Sequence, residues 1–136
     1  MIYAALGAMA IPGLLPRIER GKQKPSLAAM QQIGDAVEAY ADEHGTHPPA
    51  ADIDILAAVL EPRYVRDMQR IDGWDRPFRI EIGESIFAIQ SSGSDGLFED
   101  DPTRGGLYEF EADIALRNGQ FTQWPEGSLG VDGARR

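Results

Sequence analysis

The chain has 136 residues, a length that suits a single domain with one hydrophobic core. Its net charge of −9 argues against a nucleic-acid partner and against simple attraction to anionic lipids, because both need a basic protein surface. The chain has no cysteine, which excludes disulfides and thiolate metal sites, whereas its many carboxylates suit calcium, an ion that takes oxygen ligands.

The first fifteen residues carry no charged side chain and read MIYAALGAMAIPGLL. This stretch is too short to span a bilayer, and Pro12 and Gly13 interrupt it. Two interpretations stay open: a buried terminal helix, or the downstream half of a membrane segment whose first half is missing. Residues 16–25 are basic, as at a membrane edge or in a solvated connector. We expect Gly21 and Pro25 to bend or break the helix there.

Residues 26–43 form the predicted helix on which the rest of the chain packs. Projected at helical spacing, its apolar side chains fall within an arc of roughly 140°, and the polar side chains fill the opposite side. The apolar set is Leu27, Met30, Ile33, Gly34, Val37, Tyr40 and Ala41. Ser26 is the expected N-cap, and Gly45 is placed to end the helix in a left-handed conformation.

After Gly45 the sequence predicts short helices and strands separated by turns. A second helix is predicted over 52–60, capped by Asp52 or Asp54 and stopped by Pro62. Residues 78–82 alternate apolar and polar side chains, which predicts a half-buried strand. The return strand over 86–90 is almost continuously apolar, which favours a more central position.

A hairpin is predicted around Asn118-Gly119, because both central residues of a tight type I′ turn need positive φ. It joins strands at 114–116 and 121–124 and places Leu116 opposite Phe121. Residues from 125 onward are rich in glycine, so a loose tail is expected there.

The sequence contains none of the common catalytic motifs, and we therefore expect a protein that is not an enzyme. His44 and His47 straddle the helix-ending glycine, so they are interpreted as loop residues and not as metal ligands. The best candidate site is the acidic, turn-rich stretch from Ser91 to Gly106. Its opening, SSGSDG, resembles half of a calcium loop without matching an EF-hand. A calcium site and a hydrated acidic turn both remain open.

The order of landmarks along the chain resembles the major (G-type) pseudopilin of type II secretion systems, in the type IV pilin-like superfamily. The matching positions are Ala10-Ile11-Pro12, Ala36 to Tyr40, Gly45 with Pro48, then Asp72, Trp74, Pro77 and Phe78, then Ser91, Gly93, Asp95 and Gly96, and finally Asp113-Ile114. The resemblance covers about residues 4–124.

This resemblance implies an α+β fold, in which a long N-terminal helix packs on a small antiparallel sheet and Trp74 and Phe78 anchor the first strand. The expected organisation is an apolar segment with a basic connector over 1–25, a globular domain over 26–124 and a flexible tail over 125–136. The implied function is a structural subunit of the pseudopilus, a periplasmic filament that assists protein export across the outer membrane.

The implied partners are further copies of the chain, other pseudopilins and inner-membrane secretion components, with the domain in the periplasm and anchored in the inner membrane. The family's processing site is absent from this sequence. A second interpretation stays open, in which the chain is a standalone or divergent pilin-like calcium-binding domain that forms no filament.

The resemblance also implies a calcium ion in the late loop. By position, Asp95 and Asp113 would be side-chain ligands, and Ser92 would supply a backbone carbonyl. The family often has two adjacent acids where Ala112-Asp113 stands here, so one ligand is either lost or replaced by Glu111 or Asp100.

Overall fold

The computed structural model describes residues 14–126, which form two helices and five strands. The elements are α1 (Leu14–His44), α2 (Ile53–Leu60), β1 (Arg79–Ile82), β2 (Phe87–Ser91), β3 (Gly105–Leu107), β4 (Ile114–Arg117) and β5 (Gln120–Pro125). The strands form one sheet in the order β1-β2-β4-β5-β3. The long helix packs on this sheet, which confirms the expected α+β arrangement.

The sheet is mixed, whereas the sequence analysis predicted an antiparallel one. Three pairs are antiparallel, but β3 pairs with β5 in parallel. Strand β3 begins at Gly105-Gly106 and has no alternating pattern that would mark it as a strand. Its place is decided by hydrogen bonding to β5, a contact between residues distant in sequence.

Helix α1 runs without a break through Gly21 and Pro25, so the predicted break is wrong. A proline leaves the carbonyl four residues earlier without its helical donor, and here that carbonyl belongs to Gly21. Both residues are exposed, so water can satisfy this carbonyl. The boundary predicted between residues 25 and 26 therefore falls inside one helix.

Ser26, predicted as an N-cap, lies inside helix α1 and is fully buried. Its hydroxyl donates to the carbonyl oxygen of Lys22 at 3.0 Å and accepts from the N–H of Gly73 at 2.7 Å. The serine therefore joins the helix to the segment before β1 instead of starting the helix.

The core lies between helix α1, helix α2 and the inner face of the sheet. Its buried side chains include Leu27, Met30, Ile33, Val37, Leu56, Leu60, Phe78, Phe87, Ile89, Ile114 and Leu116. Gly34 lets the helix approach the sheet closely, because a Cβ atom at this position would lie 2.9 Å from Cδ2 of Leu116.

Several local predictions are confirmed. Gly45 ends helix α1 with φ of 78°, and the side chain of Asp52 caps helix α2 by accepting from the N–H of Ile55 at 2.9 Å. Asn118 and Gly119 both have positive φ, and Leu116 pairs with Phe121 across their turn.

The ends of the described chain limit two further predictions. Strand β5 includes Pro125, so the predicted tail begins inside a strand, and residues 127–136 lie outside the described residues. The predicted apolar segment over 1–15 lies almost entirely outside them as well. Within residues 14–126, no helix is both long and apolar enough to cross a membrane.

Candidate cation site

Asp113 is a buried carboxylate, 1% exposed, directly before strand β4. Its Oδ2 accepts hydrogen bonds from Nε2 of Gln90 and from the N–H of Glu99, the latter at 2.8 Å. Its Oδ1 is buried and has no hydrogen-bond partner. A buried carboxylate oxygen without a donor is costly, and a proton, a water molecule or a cation at this oxygen would each offset that cost.

Ser92 provides a second buried and unpaired oxygen. The residue is 1% exposed, and its Oγ has no partner. Strands β2 and β4 end their ladder at the pair Ser91 and Ile114, and one step further an antiparallel register sets Ser92 opposite Asp113. Two unpaired oxygens therefore come from the residue directly after β2 and the residue directly before β4.

The chain after Ser92 lies directly on a row of backbone carbonyls. Gly93 has φ of 73°, and a Cβ atom there would lie 2.7, 2.9 and 3.0 Å from the carbonyl oxygens of Ala112, Glu111 and Phe110. The N–H of Ser94 donates to the Phe110 carbonyl at 2.9 Å. Residues 92–96, called the 92–96 loop below, are thus packed against residues 110–112.

Electrostatics set Asp113 apart from the other carboxylates. Burial raises the pKa of Asp113 to about 6, and the negative charges of Glu99 and Asp95 add to the increase. Hydrogen bonds from the Glu99 N–H and from Gln90 oppose it. A bound cation would remove the penalty on the ionised form, because an opposite charge favours the carboxylate.

Glu99 is the residue of this site that sequence reasoning missed. Its carboxylate accepts from the N–H of Asp113 at 2.6 Å, from Nε2 of Gln123 at 2.8 Å and from Nη2 of Arg104 at 3.0 Å. Burial raises the pKa of Glu99, but these three donors outweigh it and hold the pKa below its ordinary value. Nothing in the local pattern separates Glu99 from its acidic neighbours, because its partners lie on other elements.

Two other predicted ligands, Asp95 and Asp100, are exposed. Asp95 is exposed, and its Oδ1 accepts from the N–H of Leu97 at 2.9 Å, although its charge still acts on Asp113. Asp100 is exposed and lines a cavity of about 350 Å³ together with Arg79 and Arg117.

Glu111 and Ser92 also differ from their predicted roles. The Glu111 side chain is exposed, and it is the Glu111 carbonyl that lies against Gly93. For Ser92, the unpaired group is the hydroxyl, whereas a carbonyl ligand was predicted. Among residues 14–126, no three histidine, aspartate or glutamate side chains form a cluster suited to a metal ion. A cation here would rely on Asp113, on Ser92 and on carbonyl or water oxygens.

Asp72, the first residue of the Asp72-Trp74-Pro77-Phe78 motif, is hydrogen-bonded to Ser91, the neighbour of Ser92. Residues 72–76, called the Asp72 turn below, are organised by the buried carboxylate of Asp72. Its Oδ1 accepts from the N–H groups of Trp74 at 2.9 Å and Arg76 at 3.0 Å. Its Oδ2 accepts from Oγ of Ser91 at 2.8 Å. Asp72 therefore joins this turn to the end of β2.

The two histidines make separate contacts. His44 stacks on Tyr40 with ring centroids 4.1 Å apart, and Nδ1 of His47 lies 2.9 Å from the carbonyl oxygen of Gly83. His44 is the last residue of α1, so its predicted loop position is wrong, whereas His47 lies in the loop after the helix, as predicted.

Comparison of the chain with protein-family models, with curated proteins and with solved structures gave no match in any of the three.

Proposed function

We propose that this protein is a structural, non-enzymatic subunit of a pseudopilus-type filament, with a small domain carried on a long helix and stabilised by calcium. The observation that carries the proposal is the unbroken course of α1 from Leu14 to His44 through Pro25. A filament that is held together by packed helices needs a stem continuous with the domain, and this helix supplies one.

Residues 14–25 of α1, called the stem below, are held close to the domain by hydrogen bonds on either side of Pro25. Nε1 of Trp74 donates to Oε2 of Glu19 at 2.6 Å, and the Gly73 N–H donates to Ser26. Ile18, one residue before this contact, is 45% exposed and offers an apolar side chain on the stem. A helical stem with an exposed apolar residue suits helix packing between copies of the chain.

Calcium fits the candidate site in ligand type. The unpaired oxygens of Asp113 and Ser92 and the carbonyl oxygens of residues 110–112 are hard donors, which calcium prefers. The number of charged ligands is small, because Glu99 is committed to Arg104 and Gln123. We therefore expect a dissociation constant of about 10⁻⁴ to 10⁻³ M, the range of extracellular modules with few charged ligands.

The partners and location follow from the resemblance alone. They are other copies of the chain, further pseudopilins and inner-membrane secretion components, with the domain on the periplasmic side. The standalone domain is the outcome that a failure to self-associate would favour.

Self-association is tested with single-cysteine variants, because the chain has no cysteine of its own. Ile18→Cys is expected to give cross-linked dimers and higher multimers with a short bifunctional maleimide. Leu97→Cys, at a loop position that is 69% exposed, is the matched control and is expected to give far fewer. Equal and weak cross-linking of both variants would overturn the filament proposal in favour of the standalone domain.

The calcium site is tested by thermal unfolding in excess calcium and in EDTA. Calcium at about 100 times its dissociation constant adds about 2.7 kcal/mol of stability, or roughly 5–15 °C for a domain of this size. Asp113→Asn and Ser92→Ala are expected to lose this shift, whereas Glu84→Gln, a remote exposed carboxylate, keeps it. An unchanged shift in Asp113→Asn would rule out this site.

A further inference from the structure

Arg76 is fixed at both ends. Its N–H donates to Oδ1 of Asp72 at 3.0 Å, and its carbonyl accepts from the Asp72 N–H at 2.8 Å. At the other end, Nη1 donates to the carbonyl oxygens of Gly93 at 3.0 Å and of Ser94 at 3.2 Å. One half-buried guanidinium thus connects the Asp72 turn to the 92–96 loop.

The loop is shaped to receive this guanidinium. Gly96 has φ of 73°, and a Cβ atom there would lie 2.8 Å from Cζ, 2.9 Å from Nε and 3.0 Å from Nη1 of Arg76. Only a residue without a side chain leaves that space, and glycine also adopts this backbone conformation without strain. The close packing of Gly96 and the two accepted hydrogen bonds are separate observations that point to the same contact.

We propose that Arg76 is a positioning residue whose guanidinium holds the 92–96 loop closed before any metal ion binds. Carbonyl oxygens in a tight loop need hydrogen-bond donors, and a guanidinium supplies a fixed set of donors together with a positive charge. The arginine binds the carbonyls of Gly93 and Ser94 and leaves the oxygens of Ser92 and Asp113 unpaired. The loop is therefore ordered while its cation ligands remain free.

One consequence rests on the proposed calcium site. Calcium binding to a loop that is already closed avoids the cost of ordering it, so Arg76 raises the apparent affinity by keeping the competent conformation populated. Arg76 could instead lower the affinity for calcium, because its positive charge repels a nearby cation. The sign of the change in affinity on removing Arg76 decides between the two.

The test uses amide hydrogen exchange in EDTA on the full chain, with Arg76→Gln and Arg76→Lys. The Ser94 N–H, bonded to Phe110, is expected to exchange at least roughly 10-fold faster in Arg76→Gln, with Arg76→Lys intermediate. The Gly45 N–H, bonded to Ala41 at the end of α1, is the internal reference and stays unchanged. Unchanged exchange at Ser94 would overturn the proposal, as would an equal acceleration at Gly45.

Calorimetric titration with calcium chloride then compares the same variants. The dissociation constant is expected to rise roughly 3- to 10-fold in Arg76→Gln and less in Arg76→Lys. Tighter binding in Arg76→Gln would show that charge repulsion outweighs the ordering of the loop, and would overturn the predicted gain in affinity. If the wild-type chain binds no calcium, the proposed calcium site fails while the exchange result in EDTA still decides the role of Arg76.

Discussion

Gly73 lies so close to helix α1 that a Cβ atom on it would be 1.8 Å from the carbonyl oxygen of Lys22. The obstacle is backbone, which cannot rotate away as a side chain can. Gly73 and its neighbour Trp74 both contact the helix, so the Asp72 turn is the place where the domain holds its stem.

Replacing Gly73 tests this contact directly. Gly73→Ala is expected to destabilise the domain by about 3 kcal/mol, the upper end for insertion of a methyl group into a packed contact. Gly21→Ala is the matched control: nothing lies within 4 Å of its Cβ position, and it should stabilise the helix by about 0.5–1 kcal/mol. Urea unfolding of both variants measures the difference. A Gly73→Ala protein as stable as the wild type would contradict the contact.

Close packing of the 92–96 loop predicts that Gly93 tolerates a side chain less well than Gly45, a glycine with the same backbone conformation. Gly93→Ala and Gly45→Ala both place alanine at positive φ, which costs about 1 kcal/mol by itself. Only Gly93 also has three carbonyl oxygens within 3.0 Å of its Cβ position, whereas Gly45 has open space. Gly93→Ala should therefore cost at least about 1 kcal/mol more than Gly45→Ala in the same unfolding assay. Equal costs would mean that the loop moves away freely.

The raised pKa of Asp113 predicts that, in EDTA, the domain loses stability as the pH rises through 6. Its pKa rises from 3.8 in the unfolded chain to about 6 in the folded domain, so the folded state binds the proton more tightly. This contribution is present at low pH and is lost as the pH rises through 6. It amounts to about 2 kcal/mol between about pH 4.5 and 7.5. The lowered pKa of Glu99 acts in the opposite direction, but only at lower pH.

The measurement is the difference in unfolding free energy between wild type and Asp113→Asn across this pH range. The amide oxygen of asparagine can accept the bonds from Gln90 and Glu99, so the variant removes the titration and keeps the contacts. The difference should change by about 2 kcal/mol over the range and should become smaller when calcium is added. A constant difference would show that Asp113 has an ordinary pKa.

Pro25 is predicted to lower the stability of the helix that contains it. Pro25→Ala restores the N–H that would bond the Gly21 carbonyl, and the gain should be about 1–2 kcal/mol after allowing for the greater freedom of the unfolded chain. Gln32→Ala, another exposed position of α1, should stay within about 0.5 kcal/mol of wild type. A destabilised Pro25→Ala protein would indicate that the proline itself makes a contact that matters.

The Trp74 to Glu19 hydrogen bond should contribute to stem packing. Trp74→Phe removes the indole donor and is expected to cost about 1–2 kcal/mol, because the acceptor is a carboxylate. Glu19→Gln keeps an acceptor and should cost less. Limited proteolysis is expected to cut within residues 14–25 faster in Trp74→Phe than in Glu19→Gln, and equal rates would contradict the role of this bond.

Sequence alone determined the features that depend on a few neighbouring residues. The turn at Asn118-Gly119, the end of α1 at Gly45 and the cap of α2 at Asp52 each follow from a local conformational preference or a bond over three or four residues. The buried face of α1 follows from its periodicity, and the α+β class follows from one long amphipathic segment before several short ones.

Tertiary structure decided whatever depends on partners distant in the chain. Local rules set Pro25 and Ser26 at a helix boundary, but contacts with Gly73 and Trp74 hold the helix together across it. Pairing with β5 makes a strand of Gly105-Gly106, which local pattern would leave as loop. At the site, sequence indicated Asp113 but missed Glu99, since its role comes from bonds across 14 to 24 residues that no local spacing encodes.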